Sequence, residues 1–298
     1  MIRRILLLIL LLIGGGAAMA TMKWPDLLGR PEPKPDQRVD YGGDPLQHVD
    51  VWLPKGKGPF PTIVMIHGGC WQTDIAKADI MNWIAADLRA RGIAVWNIEY
   101  RGVDRPGGGF PGTFSDVGAA IDTLKSAAPV FHLDIKRVVA IGHSAGGHLV
   151  LWAAARDQVS SSAPFFARRP LPIAAVVSLG GLPDLEAARS IPADICGGAP
   201  VIDKLVGQPS EARPDVYADT SPARLPPPAA TITLINGELD RIAPPAFASA
   251  YAAKMQAGGK AIEKITIPVA GHVELIAPDT TAWKATIAVI ERMLKHPQ

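Results

Sequence analysis

The sequence predicts an α/β protein built on a mostly parallel, doubly wound sheet, with one short insertion after the sixth strand. Short continuous apolar segments recur along the chain, as strands covered on both faces require. Stretches with helical spacing alternate with them, giving the rhythm of parallel βα units. One interval, Asp184 to Pro228, breaks that rhythm with repeated Pro-rich and Gly-rich interruptions. So long a structureless loop would be abnormal in a compact domain, so it is expected to be an insertion with short helices of its own, placed as a cap or lid over a ligand crevice.

The elements follow in order. After an opening strand near Arg38, Gln47 to Leu53 alternates, with Val49, Val51 and Leu53 on one face and His48, Asp50 and Trp52 on the other. That is the pattern of a half-exposed antiparallel strand. Thr62 to Ile66, Ile93 to Ile98, Arg137 to Ile141, Ala174 to Leu179, Thr231 to Ile235 and Ile262 to Ile267 read instead as buried parallel strands. Helices are expected at about Ala76 to Arg91, Thr113 to Ala128, Ala145 to Arg156, Pro245 to Ala257 and Thr281 to Lys295. With 298 residues, 48% of them hydrophobic and 19% charged, the chain can bury the core of one large domain, which excludes disorder. A formal net charge of +2 argues against a nucleic-acid partner.

Two segments precede that body. Met1 to Ala20 has two arginines (Arg3, Arg4), an apolar run from Ile5 to Ile13 and a small-x-small ending at Ala18-Met19-Ala20. It reads as an export signal cleaved after Ala20; a retained N-terminal anchor, which would add a membrane contact, and a misassigned start are the other readings. Export would make the protein secreted or periplasmic. Residues 21–37, with PEPKP and almost no apolar periodicity, are expected to form an extended linker, leaving 38–298 as the domain. The two cysteines, Cys70 and Cys196, could bridge or stand as unpaired small hydrophobes.

The chemistry concentrates at a few turns. Arg137 to Ile141 runs into Gly142-His143-Ser144-Ala145-Gly146-Gly147 and then an alanine-rich helical stretch. Strand, G-x-S-x-G, helix is a nucleophile elbow: the turn is so tight that side chains two positions either side of the serine would collide. The serine hydroxyl stands at a helix N-terminus, where dipole and free N–H groups favour negative charge. A hydroxyl is a weak nucleophile and needs an adjacent base. Of seven histidines, His272 follows the last predicted strand and so sits on a loop at the sheet's carboxyl edge. His143 is expected to point away within the elbow, His148 to pack on the helix, and His48, His132 and His296 to be surface or core residues. Asp240, after strand Thr231 to Ile235, is the expected partner that orients His272, giving the order Ser, Asp, His. Glu238 and Asp184 are weaker candidates that more naturally cap or salt-bridge. Met65 to Trp71 closes a buried strand with His67-Gly68-Gly69-Cys70-Trp71, whose amides at Gly69 and Cys70, with that of Ala145, would donate to an oxyanion. His67 would brace this loop rather than bind a metal. A nucleophilic Cys70 is disfavoured because no base is spaced to serve it. Trp71, Phe110 in the Pro106 to Gly112 loop, and the insertion are expected to wall the substrate pocket.

HGGCW, GHSAGG, the GELD segment and AGHVELI, in this order, resemble the α/β-hydrolase fold. The HGGxW form is similar to the branch holding small carboxylesterases, carbohydrate acetyl or feruloyl esterases and arylformamidases. The resemblance covers about Arg38 to Leu294. It implies a Ser144, Asp240, His272 triad, oxyanion amides at Gly69, Cys70 and Ala145, a small-molecule ester substrate, and no metal or organic cofactor. One departure is Cys70, which stands where an aromatic residue often precedes the tryptophan. The expected activity is that of an exported serine carboxylesterase for small or aryl esters. An arylformamidase-like amide hydrolase and a non-catalytic envelope binding protein on a hydrolase scaffold are the alternatives.

Overall fold

A computed structural model describes residues 21–295 of the chain. The export segment expected at Met1 to Ala20, and His296, lie outside the described residues. Eight strands form one sheet: β1 (Gln37–Asp40), β2 (His48–Trp52), β3 (Phe60–Ile66), β4 (Ala94–Ile98), β5 (Leu133–His143), β6 (Ala175–Leu179), β7 (Thr231–Gly237) and β8 (Glu263–Ile267). Their spatial order is β1-β2-β4-β3-β5-β6-β7-β8. β1 and β2 pair antiparallel, as do β2 and β4, and every later pairing is parallel.

The helices are α1 (Trp24–Leu28), α2 (Asn82–Ala90), α3 (Gly112–Phe131), α4 (Ala145–Ala155), α5 (Leu185–Ala188), α6 (Ala193–Cys196), α7 (Ala199–Val206), α8 (Pro245–Ala257) and α9 (Thr281–Lys295). Continuous apolar strands have the consequence the sequence foretells: successive residues enter opposite cores. Along β3, Val64 and Ile66 join one core with Phe114 and Trp152, while Ile63 and Met65 join the other with Trp283 and Ile290. All of these side chains are buried, each worth about 1.5 to 3 kcal/mol of burial against the unfolded chain. Both faces are thereby covered, and the ends of the parallel strands are left to carry the loops.

Three expectations are corrected. β2 is buried along its whole length rather than half-exposed: Val49 and Val51 enter the first core, while Trp52 lies in the second with the Arg89 guanidinium 4.8 Å above its ring. β8 is an edge strand, and Glu263, Lys264 and Thr266 on it are exposed. The extended linker over 21–37 is instead a docked strap that begins with α1. Leu27 is fully buried in the second core. Trp83 donates its indole N–H to the Pro31 carbonyl at 3.2 Å, and the Asn82 amide donates to Glu32 at 2.8 Å. Such a coil has no apolar period because single anchors and carbonyls, not a face, hold it.

The insertion carries α5, α6 and α7, the first capped by Asp184, which accepts from the amides of Glu186 and Ala187. No helix among the described residues is long and apolar enough to cross a membrane.

Candidate active site

The turn from β5 into α4 is built on steric exclusion. Ser144 has φ 55° and ψ −119°, a region that costs a residue with a side chain on the order of 1 to 3 kcal/mol. A Cβ on Gly142 would strike the Gly146 carbonyl, and one on Gly146 would strike the carbonyls of Ile66 and His67. The strand and helix can therefore close on each other only with glycine at both places. Ser144 is held by its amide, which donates to the Leu179 carbonyl at 2.9 Å, and its side chain stands at the first turn of α4.

His272 follows β8 on a turn whose Gly271 amide donates to Glu274 at 3.0 Å. Its Nδ1 lies 2.6 Å from Asp240 Oδ2. A carboxylate only accepts, so Nδ1 carries the proton and Nε2 is left as the acceptor. The other Asp240 oxygen accepts from the amides of Ile242 and Ala243, both at 2.9 Å. Burial pushes the Asp240 carboxyl up, but the His272 ring, their hydrogen bond and the two amides outweigh this and hold it below the usual carboxylate range. Asp240 is thus a buried anion with every partner it needs. Glu238 accepts from the Val269 amide and Asp184 caps α5, so the two weaker candidates are engaged elsewhere.

The loop after β3 completes the rim. Gly69, Cys70 and Trp71 all have positive φ, at 98°, 53° and 56°. Behind them His67 is buried, with Nε2 2.9 Å from Glu99 and Nδ1 2.7 Å from the Gly68 carbonyl. Tyr100 stacks on its ring at 4.3 Å and donates to its carbonyl. Glu99 is pushed up by burial but held lower on balance by His67 and by the amides of Ala78 and Tyr100. The cysteines left open by the sequence form a disulfide with a Cα–Cα distance of 5.3 Å, tying the loop to α6, and Cys70 is thereby no nucleophile.

A profile of the BD-FAE family matches residues 49–255, most of the chain and every turn described above except that of His272. The chain belongs to the BD-FAE family. Among curated relatives of this BD-FAE member, Esterase LipC of Mycobacterium tuberculosis (strain ATCC 25618 / H37Rv) is 28% identical over 245 residues, covering 79% of this chain and 59% of that protein. A probable isoprenylcysteine alpha-carbonyl methylesterase of Arabidopsis thaliana is 29% identical over 112 residues, which is 37% of this chain and 26% of that protein. The chain thus spans between a quarter and three fifths of the length of these relatives. Among solved structures, a truncated carbohydrate esterase from gut microbiota superposes with TM-score 0.71 at 23% identity, covering 89% of this chain and all of that one. Esterase B from Lactobacillus Rhamnosis (HN001) gives TM-score 0.73 at 21% identity, covering 89% of each chain. These likenesses show the α/β-hydrolase fold.

In the BD-FAE chain, Ser144, His272, Gly69 and Cys70 meet at one cavity of about 170 Å3. Ala145 opens α4 beside them and is fully buried; as the first helical residue its N–H has no partner within the helix. Among the described residues no three His, Cys, Asp or Glu side chains gather as a metal site would need.

Two pocket residues expected from the sequence are elsewhere. Trp71 is buried in the core, where it donates to His148 Nδ1 at 3.2 Å, and His148 Nε2 in turn donates to the Thr220 carbonyl at 2.8 Å. Phe110 packs edge-on against Phe165 at 5.8 Å, with the Arg213 guanidinium 3.8 Å over its ring, and pins the insertion to its loop. Neither lines the cavity. His143 was expected to point away; it faces His272 instead, with rings 4.2 Å apart and Nε2 donating to the His272 carbonyl at 3.1 Å. Burial above all pushes its ring well below the ordinary histidine range and keeps it neutral.

The cavity walls that sequence reasoning missed are Trp24, Leu28, Ile75, Ile80 and Ile242. Of the lining residues, only Ile195 lies in the segment expected to cover the site. For Trp24 and Leu28 the one available signal was that four large apolar residues, Met22, Trp24, Leu27 and Leu28, stand close together ahead of the polar PEPKP stretch.

Proposed function

We propose that this protein is an exported serine hydrolase that cleaves carboxylic esters of small or aryl substrates through an acyl-enzyme. The observation that carries the reading is the His272–Asp240 contact of 2.6 Å at the rim of a cavity that also holds Ser144, Gly69 and Cys70. Esterase names among the relatives and structural neighbours support the reaction class. In this mechanism the Ser144 hydroxyl passes its proton to His272 Nε2 as its oxygen bonds to the ester carbonyl carbon. The carbonyl electron pair moves onto oxygen, where the amides of Gly69, Cys70 and Ala145 donate to it. Collapse breaks the ester C–O bond, and the leaving alkoxide takes the proton from Nε2. Water then repeats the sequence on the acyl-enzyme, with His272 as base, and releases the acid and free Ser144. Asp240 holds the imidazole in the tautomer that accepts, and offsets its charge once protonated.

Export rests on the composition of Met1 to Ala20, and the Cys70–Cys196 disulfide suits an oxidising compartment. N-terminal sequencing of protein recovered from the cell envelope or medium should begin at Thr21. The activity is tested with p-nitrophenyl esters, an acetylated sugar and N-formylkynurenine. Ester turnover should exceed formamide turnover, and Ser144→Ala should lose at least about a thousandfold in kcat without a change in melting temperature. Asp240→Asn should lose roughly a hundred- to ten-thousandfold. Formamide turnover above ester turnover would transfer the chain to amide hydrolysis, and full activity in Ser144→Ala would end the reading.

A further inference from the structure

We propose that the N-terminal strap, through Trp24 and Leu28, is part of the substrate site and sets how long an acyl group it accepts; this rests on the ester-hydrolase reading above. Trp24 stands between two cavities. On one side is the cavity of about 170 Å3 that holds Ser144 and the amides of Gly69 and Cys70. On the other is an open groove of about 830 Å3, bordered by Lys23, Glu238, Leu239 and Arg241. Trp24, Ile242 and His272 line both.

The chemistry assigns the two sides. The attacked carbonyl carbon must lie between the Ser144 oxygen and the oxyanion amides, while the leaving oxygen must reach His272 to be protonated. The smaller cavity continues from the oxyanion loop toward Ile75, Ala76 and Ile80, all apolar, and so takes the acyl chain. The groove opens on the far side of His272, has charged residues along it, and so takes the alcohol portion. Trp24 closes the smaller cavity against the groove, and Leu28, 52% exposed, forms its outer lip.

The strap is held firmly enough to serve as a wall. Trp24 meets the His143 and His272 rings edge-on at 6.2 and 6.3 Å. On its N-terminal side the Met22 amide donates to Glu274 at 2.5 Å. On its C-terminal side Leu27 is fully buried, and Arg30 donates to Asp279 at 2.8 Å. The strap is anchored on both sides of Trp24 and the indole rests on two rings, so a chain long enough to reach it meets a fixed wall.

The test is kcat/KM for p-nitrophenyl acetate, butyrate, hexanoate, octanoate and decanoate, with protein carrying the whole strap, for wild type, Trp24→Ala, Trp24→Phe and Leu28→Ala. A second series holds the acyl group as acetate and varies the alcohol. Wild type should fall steeply beyond the middle of the acyl series. Trp24→Ala should raise the octanoate-to-acetate ratio by roughly tenfold or more, the scale on which a hydrophobic pocket discriminates added methylenes. Leu28→Ala, which removes an exposed side chain that folding does not need, should raise the ratio in the same direction, and Trp24→Phe should stay near wild type. An unchanged ratio in folded Trp24→Ala and Leu28→Ala would overturn the proposal. So would an equal fall for every ester in Trp24→Ala, which would mean that the indole only braces His272, or a shift confined to the alcohol series. These results leave the ester-hydrolase reading standing. That reading fails separately, and this inference with it, if wild type turns over no ester in either series.

Discussion

The elbow at Ser144 and the strap at Trp24 border the same cavity and are held there by opposite means. The elbow is a local object: Gly142 and Gly146 are required because backbone carbonyls of the adjoining strands and helix occupy the space a Cβ would need. The strap has no local rule. Its partners are Glu274, Asp279, Asn82, Trp83 and Arg89, scattered over the chain, and each holds it by only one or two hydrogen bonds. A constraint that acts between neighbours leaves a motif, whereas one that acts through distant partners leaves ordinary composition.

The two should therefore fail differently. Gly146→Ala places a methyl against the carbonyls of Ile66 and His67, which the sheet cannot move, and should cost more than about 4 kcal/mol. Thermal unfolding would show it as a fall in Tm of about 10 °C or as the loss of a cooperative transition. A Tm within a degree or two of wild type would mean that the elbow is not the rigid object described.

The disulfide is intermediate, a single link that fixes a segment from far away. Cys70→Ser combined with Cys196→Ser frees a loop closed over 126 positions and should cost about 3 to 4 kcal/mol, read as a lower urea midpoint. No shift would show that the hydrogen bonds of the loop, not the bridge, hold it.

Acid should find the elbow side before the strap. Burial pushes the His148 ring down to about 4, offset only in part by its bond to the Thr220 carbonyl. In the unfolded chain it titrates at the ordinary value of 6.5. Between these values the unfolded state binds the proton and the folded state does not. The stabilisation is therefore complete above pH 6.5 and is lost as the pH falls toward 4, on the order of 3 kcal/mol in all. His148→Gln keeps an acceptor for Trp71 and a donor for Thr220, so its urea midpoint should fall less steeply over this window. Parallel curves for the two proteins would remove His148 from the account.

Breaking one link of the strap should matter least. Arg30→Ala gives up a pair with Asp279 that is largely open to solvent, worth less than about 1 kcal/mol. A cost above about 2 kcal/mol would mean that the strap depends on that pair rather than on the sum of its contacts.

The same contrast explains what could be read from the sequence. The succession of strands along the chain, the helices between them, the elbow, and the loops bearing Asp240 and His272 all lie where apolar runs and glycine turns point, because each obeys a rule of spacing. What escaped was decided by packing between distant elements. Trp71 is drawn into the core by His148, a partner 77 positions away, so its place in an HGGxW turn does not put it in the cavity. Phe110 was claimed by Arg213 and Phe165. The logic of the elbow alone turns His143 outward. The carbonyl of His272, which accepts its Nε2–H, comes from a turn 129 positions on. Proline and charge in PEPKP suit an open linker, yet the carbonyls and the Glu32 carboxylate of that segment satisfy Trp83 and Asn82.

The most direct measurement is covalent capture of the nucleophile. Folded wild-type protein treated with a fluorophosphonate and digested for mass spectrometry should carry one adduct, on Ser144, formed at least about a hundredfold more slowly in His272→Ala. No adduct on Ser144, or an adduct forming just as fast without the His272 imidazole, would contradict an elbow serine activated by the histidine that shares its cavity.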